Sequence, residues 1–177
     1  MADPTPAPAG NRLLVLLRHA KAVPPESMAD LERPLAPRGR ADAAEAGKWL
    51  AEQGIAADLV LCSPAERTRE TWQYAANAGA SAGDVWFDRR IYNAYPESLL
   101  EVLRDVPAEA RTVIVVGHAP GIPWLADELA APAETEARTA LTQKYPTTGL
   151  AVLQHNSAWP DLTADDATLL HYVIPRA

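Results

Sequence analysis

Short apolar runs alternate along the chain with longer stretches whose apolar residues recur at helical spacing. The first run, 12–17, is apolar at every position after its arginine, which predicts a strand buried on both faces of a sheet. The other predicted strands are 57–62, 84–88, 111–118, 148–155 and 167–174. The last two are close enough in the chain to predict an antiparallel hairpin.

The stretches between the strands predict helices at 38–54, 63–79, 96–106 and in the second half of 119–130. The helix after the second strand has the most specific start, with Ser63 as N-cap, Pro64 at N1 and Glu66 at N3 of a capping box. Gly54 and Gly79 are predicted to end the first two helices. The segment 131–147 is open between a helix and a loop.

Strands that alternate with helices predict an α/β protein. We expect a three-layer α/β/α fold, with a mostly parallel central sheet, helices on both faces and an antiparallel C-terminal strand. The 177 residues suit one domain, which we assign to 12–177. Residues 1–11, rich in proline and alanine, are predicted to be a disordered leader. They lack the basic start and apolar core of a signal peptide.

Charge and composition narrow the function classes. The net charge is -7, which gives no support to a nucleic-acid partner. No apolar run approaches the roughly 20 residues of a membrane span, so no membrane partner is predicted. The single cysteine, Cys62, excludes an internal disulfide and favours a reducing, cytoplasmic location. The sequence leaves the oligomeric state open.

Charged side chains follow three of the predicted strands, at the edge where parallel sheets bind ligands. Arg18 and His19 follow the first strand, Arg67 comes shortly after the second, and His118 ends the fourth. Taken alone, each histidine could be a hydrogen-bonded turn residue and each arginine a solvated surface charge. Arg67 opposes the dipole at its helix start, and a bound phosphate would reverse that penalty. The three sites together favour a phosphate site.

The stretches that carry these residues, "LLRHAKA", "SPAERTRET" and "VVGHAPG", resemble the histidine phosphatase superfamily, which includes the phosphoglycerate mutases. The family's Arg-His motif falls on Arg18-His19 and its Gly-His motif on Gly117-His118. Its Ser-Pro-x-x-Arg-Thr-x-x-Thr motif falls on 63–71. The Arg-His-Ala-Lys sequence, where most of the superfamily has Arg-His-Gly, and "DLERPLAPRGRADA" at 30–43 resemble the small SixA-type phosphohistidine phosphatases.

The resemblance implies covalent catalysis, in which His19 attacks phosphorus and forms a phosphohistidine that water hydrolyses. Arg18, Arg67 and His118 are then catalytic and bind the phosphoryl oxygens. The substrate is a phosphorylated compound, either a phosphoprotein or a small phosphoester. No cofactor and no metal are expected, because the four histidines lack the spacing of metal ligands.

Other charged residues near the motifs are less determined. Lys21 is a further candidate for phosphate binding, and Arg33 and Arg38 for a positive rim, with a solvated surface charge as the alternative. Glu97 is the candidate general acid, although an acid also suits the first turn of a helix. A phosphohistidine substrate needs less acid catalysis, because imidazole leaves more readily than an alkoxide.

Several alternatives stay open. Cys62 and Arg67 invite comparison with cysteine-dependent phosphatases, but only four residues separate them where that class needs five. We expect Cys62 to pack as a small hydrophobic residue. A mutase would need a lid or insertion, and the connections here are short. A broad-specificity phosphomonoesterase of the same superfamily and a non-catalytic phosphate-binding module are the remaining alternatives.

Overall fold

The computed structural model describes residues 10–177, and the prediction of a leader over 1–11 lies almost wholly outside them. The strands are β1 Arg12–Arg18, β2 Ala56–Cys62, β3 Ser81–Phe87, β4 Thr112–Gly117, β5 Leu150–His155 and β6 Thr168–Val173. The helices are α1 Pro37–Glu52, α2 Glu66–Asn77, α3 Pro96–Arg104, α4 Gly121–Leu129 and α5 Glu136–Gln143. Short 3-10 turns lie at Asp30–Glu32, Arg89–Ile91 and Trp159–Asp161.

All six strands form one sheet in the order β3-β2-β4-β1-β5-β6. The first four strands are parallel to one another. β5 runs antiparallel to β1, and β6 runs antiparallel to β5. The α/β fold and the hairpin are therefore confirmed. The reversed strand is β5, inside the sheet, and β6 at the edge returns to the direction of β1.

Helices cover both faces of the sheet, and β1 shows why its apolar run is continuous. Leu14 and Leu16 face a core completed by α3, α4 and α5. Val15 and Leu17 face the opposite core, which includes Leu50 of α1 and residues of α2. Neighbouring side chains of a strand point to opposite faces, so a strand between two helical layers needs apolar residues at every position.

The start of α2 differs from its prediction. The helix begins at Glu66 with Ala65 as N-cap, and no side chain caps it. The predicted capping box at Ser63 is therefore wrong. The Ser63 hydroxyl lies 2.8 Å from Nε2 of His118, a partner from a distant strand end. The competing tertiary contact and the Pro64 bend move the N-cap two residues, from the predicted Ser63 to Ala65.

The segment 131–147 and the end of α1 can also be compared with their predictions. The unassigned segment 131–147 contains α5, which begins at an N-cap, Thr135, whose hydroxyl accepts a hydrogen bond from the Arg138 amide at 3.1 Å. Gly54 follows α1 with φ of +68°, as predicted for a terminating glycine. Between residues 10 and 177, no helix is both long and apolar enough to span a bilayer.

Candidate active site

The register of the parallel strands brings the predicted charged residues to one edge of the sheet. Arg18 at the end of β1 pairs with Gly117 at the end of β4, so the next residues, His19 and His118, are neighbours. The His19 amide donates to the Gly117 carbonyl at 2.9 Å. The Ser63 amide donates to the β4 backbone at 3.1 Å, which brings the β2–α2 turn to the same place.

A cavity of about 240 Å³, which we call the His19 cavity, opens at this edge. Its walls are Arg18, His19, Lys21, Ala22, Arg33, Arg67, Asn93, His118, Ala119 and Thr147. The structure thus brings together five predicted site residues and Arg33 of the predicted rim. Glu97 is exposed in the first turn of α3 and does not line the cavity. Arg38 lies outside it as well, beside a neighbouring cavity.

His19 is held in one orientation by its own loop. Its Nδ1 lies 2.7 Å from the Ala20 carbonyl oxygen, which can only accept, so this nitrogen carries the ring proton. The lone pair is then on Nε2. Burial, followed by the charges of Arg67, Arg18 and Arg33, lowers the His19 pKa to about 4. The ring is therefore neutral at pH 7, the state in which an imidazole is a nucleophile.

His118 packs beside His19, with ring centroids 5.3 Å apart. Its Nε2 contacts the Ser63 hydroxyl at 2.8 Å, while its buried Nδ1 has no hydrogen-bond partner within residues 10–177. Burial, then His19 and Arg67, lowers the His118 pKa to about 3. A serine hydroxyl that donates to Nε2 leaves the proton of the neutral ring on Nδ1, as a donor without an acceptor.

Arg18 is positioned by Tyr145, which lies in the segment 131–147 that the sequence leaves open between a helix and a loop. Its Nη1 donates to the Tyr145 carbonyl at 2.9 Å, and the Tyr145 hydroxyl donates to the Leu16 carbonyl at 2.7 Å. The buried Nε of Arg18 has no hydrogen-bond partner among the described residues. An unpaired buried donor costs roughly 1–3 kcal/mol. This arginine therefore retains capacity to bind an anion.

Arg67 is anchored by Asp30, a residue of the first 3-10 turn. Its Nη1 donates to the Asp30 carbonyl at 2.7 Å and its Nη2 to the Asp30 carboxylate at 3.0 Å. Tyr92 and Arg33 donate to the same carboxylate, at 2.5 and 2.9 Å. These hydrogen bonds, led by that of Tyr92, hold the pKa of Asp30 well below its usual range. The carboxylate is thus ionised and accepts hydrogen bonds from three side chains.

The electrostatics of the His19 cavity favour an anion. Asp30 supplies one negative charge against Arg18, Arg33 and Arg67, and the cavity walls contain no aspartate or glutamate. The sequence predicts that a bound anion offsets the unfavourable position of Arg67 at its helix start. The structure corrects it, because Asp30 is already a counter-ion, yet three N–H groups of Arg67 remain for a ligand. A phosphate suits several arginine donors around one cavity.

Four residues at or beside the His19 cavity were not predicted from the sequence: Asp30, Tyr92, Asn93 and Tyr145. Asp30 lies in "DLERPLAPRGRADA", and its place in that stretch was the one signal available. Asn93 lines the cavity with φ of +50°, a backbone conformation that asparagine tolerates better than most residues. Nothing local marks Tyr92 or Tyr145, whose roles depend on contacts with residues far away in the chain.

Cys62 does not line the His19 cavity. The thiol is fully buried at the end of β2, and burial raises its pKa to about 12. It is therefore protonated at pH 7, and a thiol is a poor nucleophile compared with a thiolate. The comparison with cysteine-dependent phosphatases fails on this residue. Among residues 10–177, no three histidine, cysteine, aspartate or glutamate side chains form a group that could hold a metal ion.

The chain is similar in sequence and in fold to known proteins. The model of the histidine phosphatase superfamily (branch 1) matches residues 14–90. The uncharacterized protein Rv1276c of Mycobacterium tuberculosis is 40% identical over 162 residues, which cover 90% of this chain and 100% of that protein. A "putative phosphohistidine phosphatase SixA" from Nakamurella multipartitia is 37% identical with a TM-score of 0.84, over 97% of this chain and 100% of that one. A second protein so described, from Agrobacterium tumefaciens, is 29% identical with a TM-score of 0.75, over 93% and 99%.

Fold and site define an α/β protein with a cavity lined by histidine and arginine side chains at the carboxyl edge of its sheet. The chain belongs to the histidine phosphatase superfamily, in its SixA-type group. It is accordingly a phosphatase, a hydrolase of phosphorylated compounds. The predicted family is confirmed.

Proposed function

We propose that this protein hydrolyses phosphohistidine through a covalent intermediate on His19. The observation that carries the proposal is the pair of neutral imidazoles, one half-buried and one buried, 5.3 Å apart in a cavity with three arginines and no carboxylate in its walls. The proposal needs a nucleophile and a clamp for the phosphoryl group, and the candidates for both lie at one edge of the sheet.

His19 is the proposed nucleophile. Its Nε2 lone pair attacks phosphorus while the bond from phosphorus to the substrate's ring nitrogen breaks. Water then attacks the phosphorus on His19, the P–Nε2 bond breaks, and inorganic phosphate leaves. The contact from Nδ1 to the Ala20 carbonyl supports this assignment, because it keeps the proton away from the attacking nitrogen.

Arg18, Arg67 and His118 are the proposed phosphoryl clamp, with Lys21 at the rim. Phosphoryl transfer depends mainly on positioning and on charge stabilisation at the equatorial oxygens. The Arg67 N–H groups that Asp30 does not use support this role, since a phosphoryl oxygen in the His19 cavity could accept from them. Asp30 fixes Arg67 while leaving donors free, so it is a positioning residue in this proposal.

The missing acid favours phosphohistidine over a phosphoester. An alkoxide leaving group needs a proton from a general acid. The walls of the His19 cavity offer no aspartate or glutamate, and Glu97 lies outside it. A phosphohistidine ring protonated at its second nitrogen leaves as neutral imidazole and needs no such acid. A cytoplasmic location fits the single free cysteine and stays a prediction.

The test is turnover of a phosphohistidine protein against phosphoserine, phosphotyrosine and sugar phosphates, without added metal. We expect the highest kcat/KM for phosphohistidine and no turnover in His19→Ala. Quenching with a denaturant at alkaline pH, where phosphohistidine is stable, should with labelled substrate give label on the wild-type chain only. Phosphate binding without hydrolysis of any substrate would favour the non-catalytic module. A preference for a phosphoester would favour a broad-specificity phosphomonoesterase.

A further inference from the structure

A second cavity, of about 210 Å³, adjoins the His19 cavity. We call it the Arg38 cavity. Its walls are Lys21, Arg38, Asp42, Thr147 and Arg176, and the first and fourth of these also line the His19 cavity. The two cavities therefore share a wall formed by Lys21 and Thr147.

The Arg38 cavity has more positive than negative charge. Asp42 is the one carboxylate in its walls, 3.7 Å from Arg38 Nε and 3.5 Å from Arg176 Nη1. No other carboxylate of residues 10–177 comes within 4.0 Å of Arg38, Arg176 or Lys21. Three cations thus face one buried anion. The excess is local, because the whole chain has a net charge of -7.

Hydrogen bonds hold together the backbone segments that carry these cations. The Ala36 amide donates to the Lys21 carbonyl at 2.9 Å, which ties the loop after β1 to the start of α1. Gly39 makes this approach possible, since a Cβ there would lie 2.0 Å from the same carbonyl oxygen. Arg176 Nη1 donates to Thr147 O and Thr148 Oγ1, both at 3.0 Å. The cavity is thus built from four segments, which are linked by these contacts and by the ion pair of Arg176 with Asp42.

The start of α1 adds to the positive potential. This helix has 16 residues, its N-cap Ala36 makes no capping hydrogen bond through its side chain, and its first turn contains no acidic residue. Arg38 occupies that turn, where the helix dipole disfavours a cation. An anion near Arg38 would be attracted by the charge and by the dipole together.

We propose that the Arg38 cavity binds a second anionic group, a phosphate or a carboxylate, of the same substrate whose phosphoryl group lies in the His19 cavity. The proposal rests on the proposed function and specifies its substrate class. Lys21 lines both cavities and would lie between the two anionic groups. Arg38 and Arg176 would bind the second group. The preferred substrate is therefore a phosphorylated group with another anion a few bonds away.

Binding of non-hydrolysable probes tests this without turnover. Calorimetry compares an alkylphosphonate with α,ω-bisphosphonates and with ω-phosphonocarboxylates of increasing alkyl length. We expect at least one length to bind roughly tenfold more tightly than the monoanion, as several partly exposed charge pairs would give. The stronger class of probe shows whether the second group is a phosphate or a carboxylate.

Variants test whether Arg38 and Arg176 cause the tighter binding of probes with a second anionic group. Arg38→Gln and Arg176→Gln should each remove most of the advantage of the second anion. Arg40→Gln is the matched control, because Arg40 is exposed on the same helix, contacts the Tyr74 ring and lines neither cavity. It should retain the advantage.

Two results would overturn the proposal: no length that binds more than about twofold better than the monophosphonate, or an advantage that survives in both Arg38→Gln and Arg176→Gln. A tighter bisphosphonate in a protein that hydrolyses no phosphate would overturn the proposed function alone.

Discussion

The hydroxyl of Thr71, on α2, accepts a hydrogen bond from the amide of Ala20, the residue after His19, at 2.9 Å. The same hydroxyl donates to the Arg67 carbonyl at 2.6 Å. One buried oxygen therefore joins the loop of the proposed nucleophile to the helix turn of the proposed clamp. This contact gives a physical reason for the last threonine of the Ser-Pro-x-x-Arg-Thr-x-x-Thr motif.

Thr71→Val should separate these two elements with little change in shape. It leaves the Ala20 amide buried without an acceptor, which costs roughly 1–3 kcal/mol of unfolding free energy. We expect kcat to fall by about tenfold with KM nearly constant, because a small misplacement of the nucleophile reduces the rate of the chemical step. Thr71→Ser retains the hydroxyl and should retain kcat. Equal kcat in the two variants would show that this contact does not position His19.

Asp30→Asn tests the anchor of Arg67. The amide is similar in shape but removes the negative charge that holds Arg33 and Arg67. We expect inorganic phosphate to inhibit more strongly, since the net positive charge rises, while kcat falls by about tenfold because Arg67 is less well oriented. Steady-state kinetics with an aryl phosphate measure both. Asp127→Asn removes a surface ion pair with Arg138 and should change neither. An unchanged kcat in Asp30→Asn would contradict the positioning role.

The parts of this molecule that were predictable are those whose signal is local. The continuous apolar run of β1 predicts burial on both faces, and the strand ends predict where His19 and His118 meet. Helix α5 was not predicted because Leu141 is its one buried residue, so its apolar stripe is weak. The capping box predicted at Ser63 is wrong because a serine hydroxyl can either cap a helix or form a hydrogen bond with an imidazole. The second use is visible only in the fold.

Low pH should destabilise the protein through its two site histidines. Their pKa values are about 4 for His19 and about 3 for His118, whereas an unfolded histidine has a pKa near 6.5. Between pH 6.5 and 4 the unfolded chain therefore binds more protons than the folded one, so stability falls as the pH falls. Urea unfolding at pH 7, 6 and 5 measures the slope. The slope should be shallower in a His19→Asn/His118→Asn double variant, and equal slopes would exclude the lowered pKa values.

Cys62→Ser should leave catalysis intact. The thiol is buried away from the His19 cavity and acts as a small apolar group, so a hydroxyl there loses packing and gains a polar atom. We expect a loss of roughly 1–3 kcal/mol in unfolding free energy and an unchanged kcat/KM at a temperature where the variant is folded. Native protein should also resist alkylation by iodoacetamide. A large loss of turnover in folded Cys62→Ser would restore the cysteine mechanism as an alternative.

Gly39→Ala distinguishes helix propensity from the packing that builds the Arg38 cavity. In an exposed helix interior this change stabilises by roughly 1 kcal/mol. Here the new Cβ would lie 2.0 Å from the Lys21 carbonyl oxygen, and backbone atoms cannot rotate away as a side chain can. We expect a net loss of about 1–3 kcal/mol, as overpacking of a tight contact gives. Ala51→Gly, at an exposed position of the same helix, should lose roughly 1 kcal/mol from propensity alone. Chemical unfolding measures both, and stabilisation by Gly39→Ala would show that the loop of Lys21 is free to move away from α1.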